Sequence, residues 1–143
     1  MTDLLALDRQ VCFALAAASR SVISLYRPVL EPLGLTHPQY LVMLALWESS
    51  PLRVNELGDK LYLDSATLSP LLKRLESAGL VARSRSIDDE RAVEVTLTDA
   101  GIALRSRAEA VPPAIIERLG LPVSQLEAAR DHLHALLGAS ISQ

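Results

Sequence analysis

The leucines between Leu57 and Leu75 constrain this chain more than any other feature. Leu57, Leu61, Leu68, Leu71, Leu72 and Leu75 fall at helical spacing, and the run breaks once, at YLDS. Asp64 is placed to cap a fresh helix and Gly79 to close it. The period then changes: LVARSRS and RAVEVTLT alternate, with Val93, Val95 and Leu97 on one face and IDDE as the turn. Two short helices joined tightly and followed by a two-stranded hairpin make a winged helix-turn-helix.

The flanking segments read as helices. Residues 4 to 26 carry Leu4, Val11, Leu15, Ala18 and Val22 at helical intervals, and Pro28 and Pro32 end that run. THPQYLVMLALWES opens with Thr36 as N-cap and Gln39 at the capping-box position. Thr98 caps DAGIALRSRAEAV, which Pro112 and Pro113 interrupt or kink, and a last stripe holds Leu126, Ala129, Leu133, Leu136 and Leu137. The expected fold is mainly α with a small β-hairpin wing. Residues 36–110 form a winged-helix DNA-binding region. Residues 4–33 and 112–143 form terminal helices with more apolar surface than one domain of this size uses, which predicts a homodimer.

Composition narrows the class. Half of the 143 residues are hydrophobic and 3% aromatic, which favours helices over a sheet-rich fold. A formal charge of −3 argues against indiscriminate coating of nucleic acid or anionic membrane. A single cysteine suits a reducing cytoplasm, Asp3, Asp8 and Arg9 do not make a secretory leader, and no apolar run nears the ~20 residues of a membrane span.

The recognition helix is expected from Ser65 to Ala78. Ser65, Ala66, Thr67, Ser69 and Pro70 are small or hydroxylic, which suits close approach to base edges in a major groove. From Ser65 to Arg85, the basic Lys73, Arg74, Arg83 and Arg85 face one acid, Glu76, a net +3 in an acidic chain. Such a basic island is the footprint of a duplex binder. At the wing, Asp89 is placed to hold Arg91 and aim its guanidinium at a minor groove; the plain alternative is a solvated turn. A winged helix that binds protein is the alternative for the module as a whole.

No pattern supports an enzyme, a cofactor or a metal. His132 and His134 point to opposite sides of a helix, His37 stands alone, and there is no Gly-rich phosphate loop. Cys12 shares an apolar stripe with Leu5, Leu15, Ser19, Val22 and Tyr26, which predicts burial about three turns into the first helix, beyond the reach of its N-terminus. Asp8 opposes a thiolate and Arg9 favours one. From these neighbours alone, Cys12 is either a small core hydrophobe or a reactive thiol.

CFALAAASRSVISLYRPVLEPLGLTHPQYLVMLALWE and LYLDSATLSPLLKRLESAGLVARSRSIDDERAVEVTLTDAG together resemble the MarR family of winged-helix regulators, and within it the one-cysteine organic hydroperoxide resistance regulators. The resemblance implies that Cys12 senses peroxide and that Tyr26 hydrogen-bonds its thiol. His37 stands where a second tyrosine is usual. The same resemblance implies a dimeric repressor of a pseudo-palindromic operator, with an organic hydroperoxide and a low-molecular-weight thiol as effectors. On one helix, 14 residues put Cys12 and Tyr26 about 21 Å apart, so a Tyr26 that touches Cys12 comes from the partner subunit. Two rivals remain: a MarR-type regulator of a reversible apolar or phenolic ligand with a structural Cys12, and a thiol peroxidase.

Overall fold

In the computed structural model, residues 3–89 and 91–143 are described. Helix α1 spans Val11–Leu30 and α2 His37–Glu48. A two-residue strand β1, Leu52–Arg53, leads into α3, Val54–Leu61, and α4, Ser65–Ser77. Strands β2 (Val81–Arg85) and β3 (Val93–Leu97) follow, then α5 (Asp99–Ala108), α6 (Val111–Leu119) and α7 (Val123–Ile141).

The local signals act as expected. Thr36 accepts the Gln39 N–H at 3.4 Å while the Gln39 side chain accepts the Thr36 N–H at 3.0 Å. Asp64 accepts the Thr67 N–H at 2.7 Å, and Thr98 accepts that of Gly101 at 3.1 Å. Each cap satisfies an amide that the helix leaves unpaired. The α3–α4 turn is close: a Cβ on Gly58 would stand 2.7 Å from the Leu63 carbonyl oxygen, so only glycine lets the turn fold back.

The core joins these elements. Leu57, Leu68, Leu72 and Leu75 from the helix-turn-helix are buried with Met43 and Leu46 of α2 and with Val81 and Val95 of the sheet. Trp47 donates its indole N–H to the Gly101 carbonyl at 2.9 Å and ties α2 to the start of α5.

Three expectations are corrected. The first helix begins at Val11, because Asp3 and Gln10 spend their side chains on nearby backbone: Asp3 accepts the Leu5 N–H, and Gln10 donates to Leu4 and Ala6 carbonyls. It continues through Pro28 to Leu30, which is fully buried; Gly34, at φ 72°, ends the turn beyond it. The wing has three strands in the order β1–β3–β2, all antiparallel, with Leu52 opposite Val95. A two-residue strand is too short to alternate visibly. The expected interruption near Pro112 and Pro113 is present: α5 and α6 are separate helices, with both prolines in the first turn of α6, where a missing N–H costs no helical bond.

Candidate redox site and nucleic-acid interface

Cys12 is the second residue of α1 and is exposed on the chain, which overturns the expectation of a buried position in the third turn. Gln10, the N-cap, is extended and makes no side-chain cap bond. The thiol therefore stands in a helix first turn whose N-cap makes no side-chain bond to the free amides.

Tyr26 lies on the same helix near its other end. Its ring meets His37 edge to face at 4.7 Å between centroids, and Tyr40 at 6.0 Å. The structure brings together the two residues expected to partner the thiol, and adds Tyr40, which the sequence reading missed. Only its aromatic character, three residues beyond His37, could have signalled it. Burial holds the His37 imidazole below the usual histidine range, so the ring is neutral at pH 7. Burial pushes the Tyr26 hydroxyl up, and does the same for Tyr40, with Tyr26 adding to it.

Among the described residues, Phe13 and Leu15, which follow Cys12 on α1, and the PQYLVML segment of α2 do not enclose an apolar pocket within one chain. Phe13 and Leu15 are each 41% exposed, while Tyr40, Val42 and Met43 belong to the core. A cleft of about 640 Å³ instead lies between α1 and the start of α2, lined by Arg20, Ile23, Ser24, Arg27, His37 and Pro38 among others.

On α4, Ser65, Thr67, Ser69, Pro70, Lys73 and Arg74 are all exposed. A groove of about 730 Å³ joins Ser65 and Ser69 to Arg83, Asp89 and Arg91 of the wing, with Arg53 and Asn55 of the β1–α3 junction on the same wall. The sequence reading missed these last two, because what places them there is the pairing of β1 with β3.

Two wing residues behave differently from expectation. Asp89 accepts the backbone N–H of Arg91 at 3.0 Å and forms no ion pair with its guanidinium, so it shapes the turn without aiming the arginine. Arg83 is bonded to Glu76 at 3.2 Å, which holds that carboxyl below the usual range. Glu90 of the turn lies outside the described residues, and Arg85 ends β2 with its side chain exposed.

A capped helix-turn-helix carrying a three-stranded wing, with small exposed residues opening its second helix, is a winged-helix module of the nucleic-acid-binding type. Comparison with known proteins gives the family. The MarR family model matches residues 35–93. An organic hydroperoxide resistance transcriptional regulator of Bacillus subtilis (strain 168) is 44% identical over 130 residues, covering 89% of this chain and 88% of that protein. The chain belongs to the MarR family and is a transcriptional regulator of that family.

Among solved structures, reduced AbfR bound to DNA is 39% identical, with a TM-score of 0.76 over 94% of both chains; AbfR is a protein of Staphylococcus epidermidis. The disulfide-formed AbfR is less similar in shape, with a TM-score of 0.65 at 38% identity over 96% of this chain and 93% of that one. CouR of Rhodococcus jostii RHA1 bound to p-coumaroyl-CoA is 26% identical, with a TM-score of 0.79 over 92% of this chain and 94% of that one.

Proposed function

We propose that this regulator is a homodimeric repressor that binds a pseudo-palindromic operator and releases it when an organic hydroperoxide oxidises Cys12. The observation that carries this reading is the placement of Cys12: an exposed thiol in the uncapped first turn of α1, on the same helix as the Tyr26–His37 pair. Both ends of α1 are then used if two copies run antiparallel, each supplying Cys12 to the other's Tyr26 and His37. The apolar residues exposed on α7, Leu133, Leu136 and Ile141, are further surface for the second copy to cover.

For DNA, each α4 enters a major groove, with Ser65, Thr67, Ser69 and Pro70 against base edges and Lys73 and Arg74 near phosphates. Arg83, Arg85 and Arg91 serve the flanking contacts, while Asp89 sets the wing turn. The similarity to AbfR, whose reduced form has been solved on DNA, supports this assignment.

In the chemical step, the Cys12 sulfur attacks the distal peroxide oxygen, the O–O bond breaks, and an alcohol leaves with Cys12 as sulfenic acid. With no second cysteine in the chain, an external thiol completes the reaction as a mixed disulfide. The adduct displaces the Tyr26 and His37 contacts and shifts one reader relative to the other. A hundredfold loss of affinity requires about 2.7 kcal/mol. Two lost hydrogen bonds at ~1 kcal/mol each, with ~1–3 kcal/mol of overpacking, supply it.

The test is operator binding by wild type and Cys12→Ser, titrated with an organic hydroperoxide and separately with hydrogen peroxide. Release of wild type alone, at lower organic than hydrogen peroxide, supports the reading; equal behaviour of the two proteins sinks it. A second reading, reversible control by an apolar or phenolic ligand, is favoured by the likeness to CouR with its bound p-coumaroyl-CoA. It requires that Cys12→Ser respond fully to that ligand.

A further inference from the structure

The cleft beside His37 carries two positive charges that no described residue pairs with. Arg20 and Arg27 both line it, and neither guanidinium has a hydrogen-bond or ion-pair partner among the described residues. They are seven residues apart on α1, so they share one face about 10 Å apart along the axis, with Ile23 and Ser24 between them. One acid, Glu31, shares the wall. His37, neutral by burial, closes the end nearest Tyr26, so the cleft is positive by one charge.

We propose that this cleft docks the small thiol that resolves oxidised Cys12, and that it selects a thiol bearing carboxylate or another anionic group. The proposal rests on the sensing reading above, in which the partner's thiol comes to Tyr26 and His37. A thiol held there by Arg20 and Arg27 presents its sulfur at the His37 end of the cleft. Its sulfur attacks the Cys12 sulfenic acid; an S–S bond forms, the S–O bond breaks, and water leaves carrying the thiol proton. The oxidant is the organic hydroperoxide already consumed. Guanidinium suits this task because it presents a fixed fork of donors to a carboxylate and keeps its charge at every physiological pH.

The experiment uses full-length dimer treated with one equivalent of cumene hydroperoxide and then with 3-mercaptopropionate, mercaptosuccinate, 2-mercaptoethanol or cysteamine at equal thiolate concentration. Mixed-disulfide formation is followed by intact-protein mass spectrometry, and a neutral dione probe reports sulfenic acid in parallel samples. The anionic thiols should react about tenfold faster than 2-mercaptoethanol, as two exposed charge contacts allow, with cysteamine slowest. The gap should shrink as salt is raised.

The Arg20→Gln/Arg27→Gln variant should lose the preference while forming sulfenic acid at the wild-type rate. Arg20→Lys/Arg27→Lys should keep most of it, which separates lost charge from a folding defect. Equal rates for anionic and neutral thiols in wild type would overturn this proposal alone. Absence of sulfenic acid in wild type would overturn the sensing reading and this one with it. DNA release by S-methylated mercaptosuccinate without any peroxide would also overturn it, since the cleft would then bind an anion as a reversible ligand.

Discussion

The imidazole of His37, at the start of α2, meets the ring of Tyr26 edge to face, with centroids 4.7 Å apart. Because burial keeps that imidazole neutral, it offers Tyr26 a flat apolar edge and retains one N–H to donate. A proton added to it would charge a half-buried ring against Tyr26.

That arrangement fixes a pH dependence. The folded-state pKa of His37 lies below its unfolded value near 6.5, so as pH falls past that value the unfolded chain takes up a proton that the folded chain refuses. Stability is therefore lost as pH drops through the window between the unfolded and folded pKa values, and none is lost above it. The urea midpoint of wild type should fall more between pH 7.5 and 5.5 than that of His37→Phe. Parallel declines would show that His37 does not contribute.

Trp47 couples α2 to the reader. Its N–H bonds the Gly101 carbonyl; Thr98, three residues before, donates to the Gly79 carbonyl at 2.6 Å just after α4. Trp47→Phe should cost about 1–2 kcal/mol in denaturant unfolding, the value of a part-buried hydrogen bond whose acceptor is left behind. Operator binding by the reduced variant should survive, while release on oxidation should need more peroxide. An unchanged dose response would place the coupling elsewhere.

Two glycines make opposite predictions. Gly58→Ala puts a methyl against the Leu63 carbonyl, so it should destabilise by about 1–3 kcal/mol and weaken operator binding by displacing α4. Gly138, in α7, has open space around a Cβ, and Gly138→Ala should stabilise by about 0.5–1 kcal/mol through helix propensity alone. Thermal unfolding of the two variants checks both signs.

The Glu76–Arg83 pair bears on DNA. Glu76→Gln removes the carboxylate that Arg83 now contacts, leaving the guanidinium for phosphate. The slope of log affinity against log salt should steepen by up to about 1 for each reader that gains a contact. An unchanged slope would mean that Arg83 stays away from the backbone.

What the sequence determined by itself were the features that act within one or two turns of chain. Thr36, Asp64 and Thr98 were legible as caps because a side chain reaching an amide three residues on is a local event. The leucine period and the switch to alternation in the wing were legible because burial imposes them residue by residue. The start of α1 was not, since Gln10 had a competing local use. The tertiary structure alone decided that β1 pairs with β3 and carries Arg53 and Asn55 to the groove, and that Tyr40 joins Tyr26 and His37. It alone set the Arg20 and Arg27 guanidinium groups over a cleft without an ion-pair partner among the described residues. Those outcomes depend on segments far apart in the chain meeting at a given distance and angle, and no run of neighbouring residues encodes such a distance.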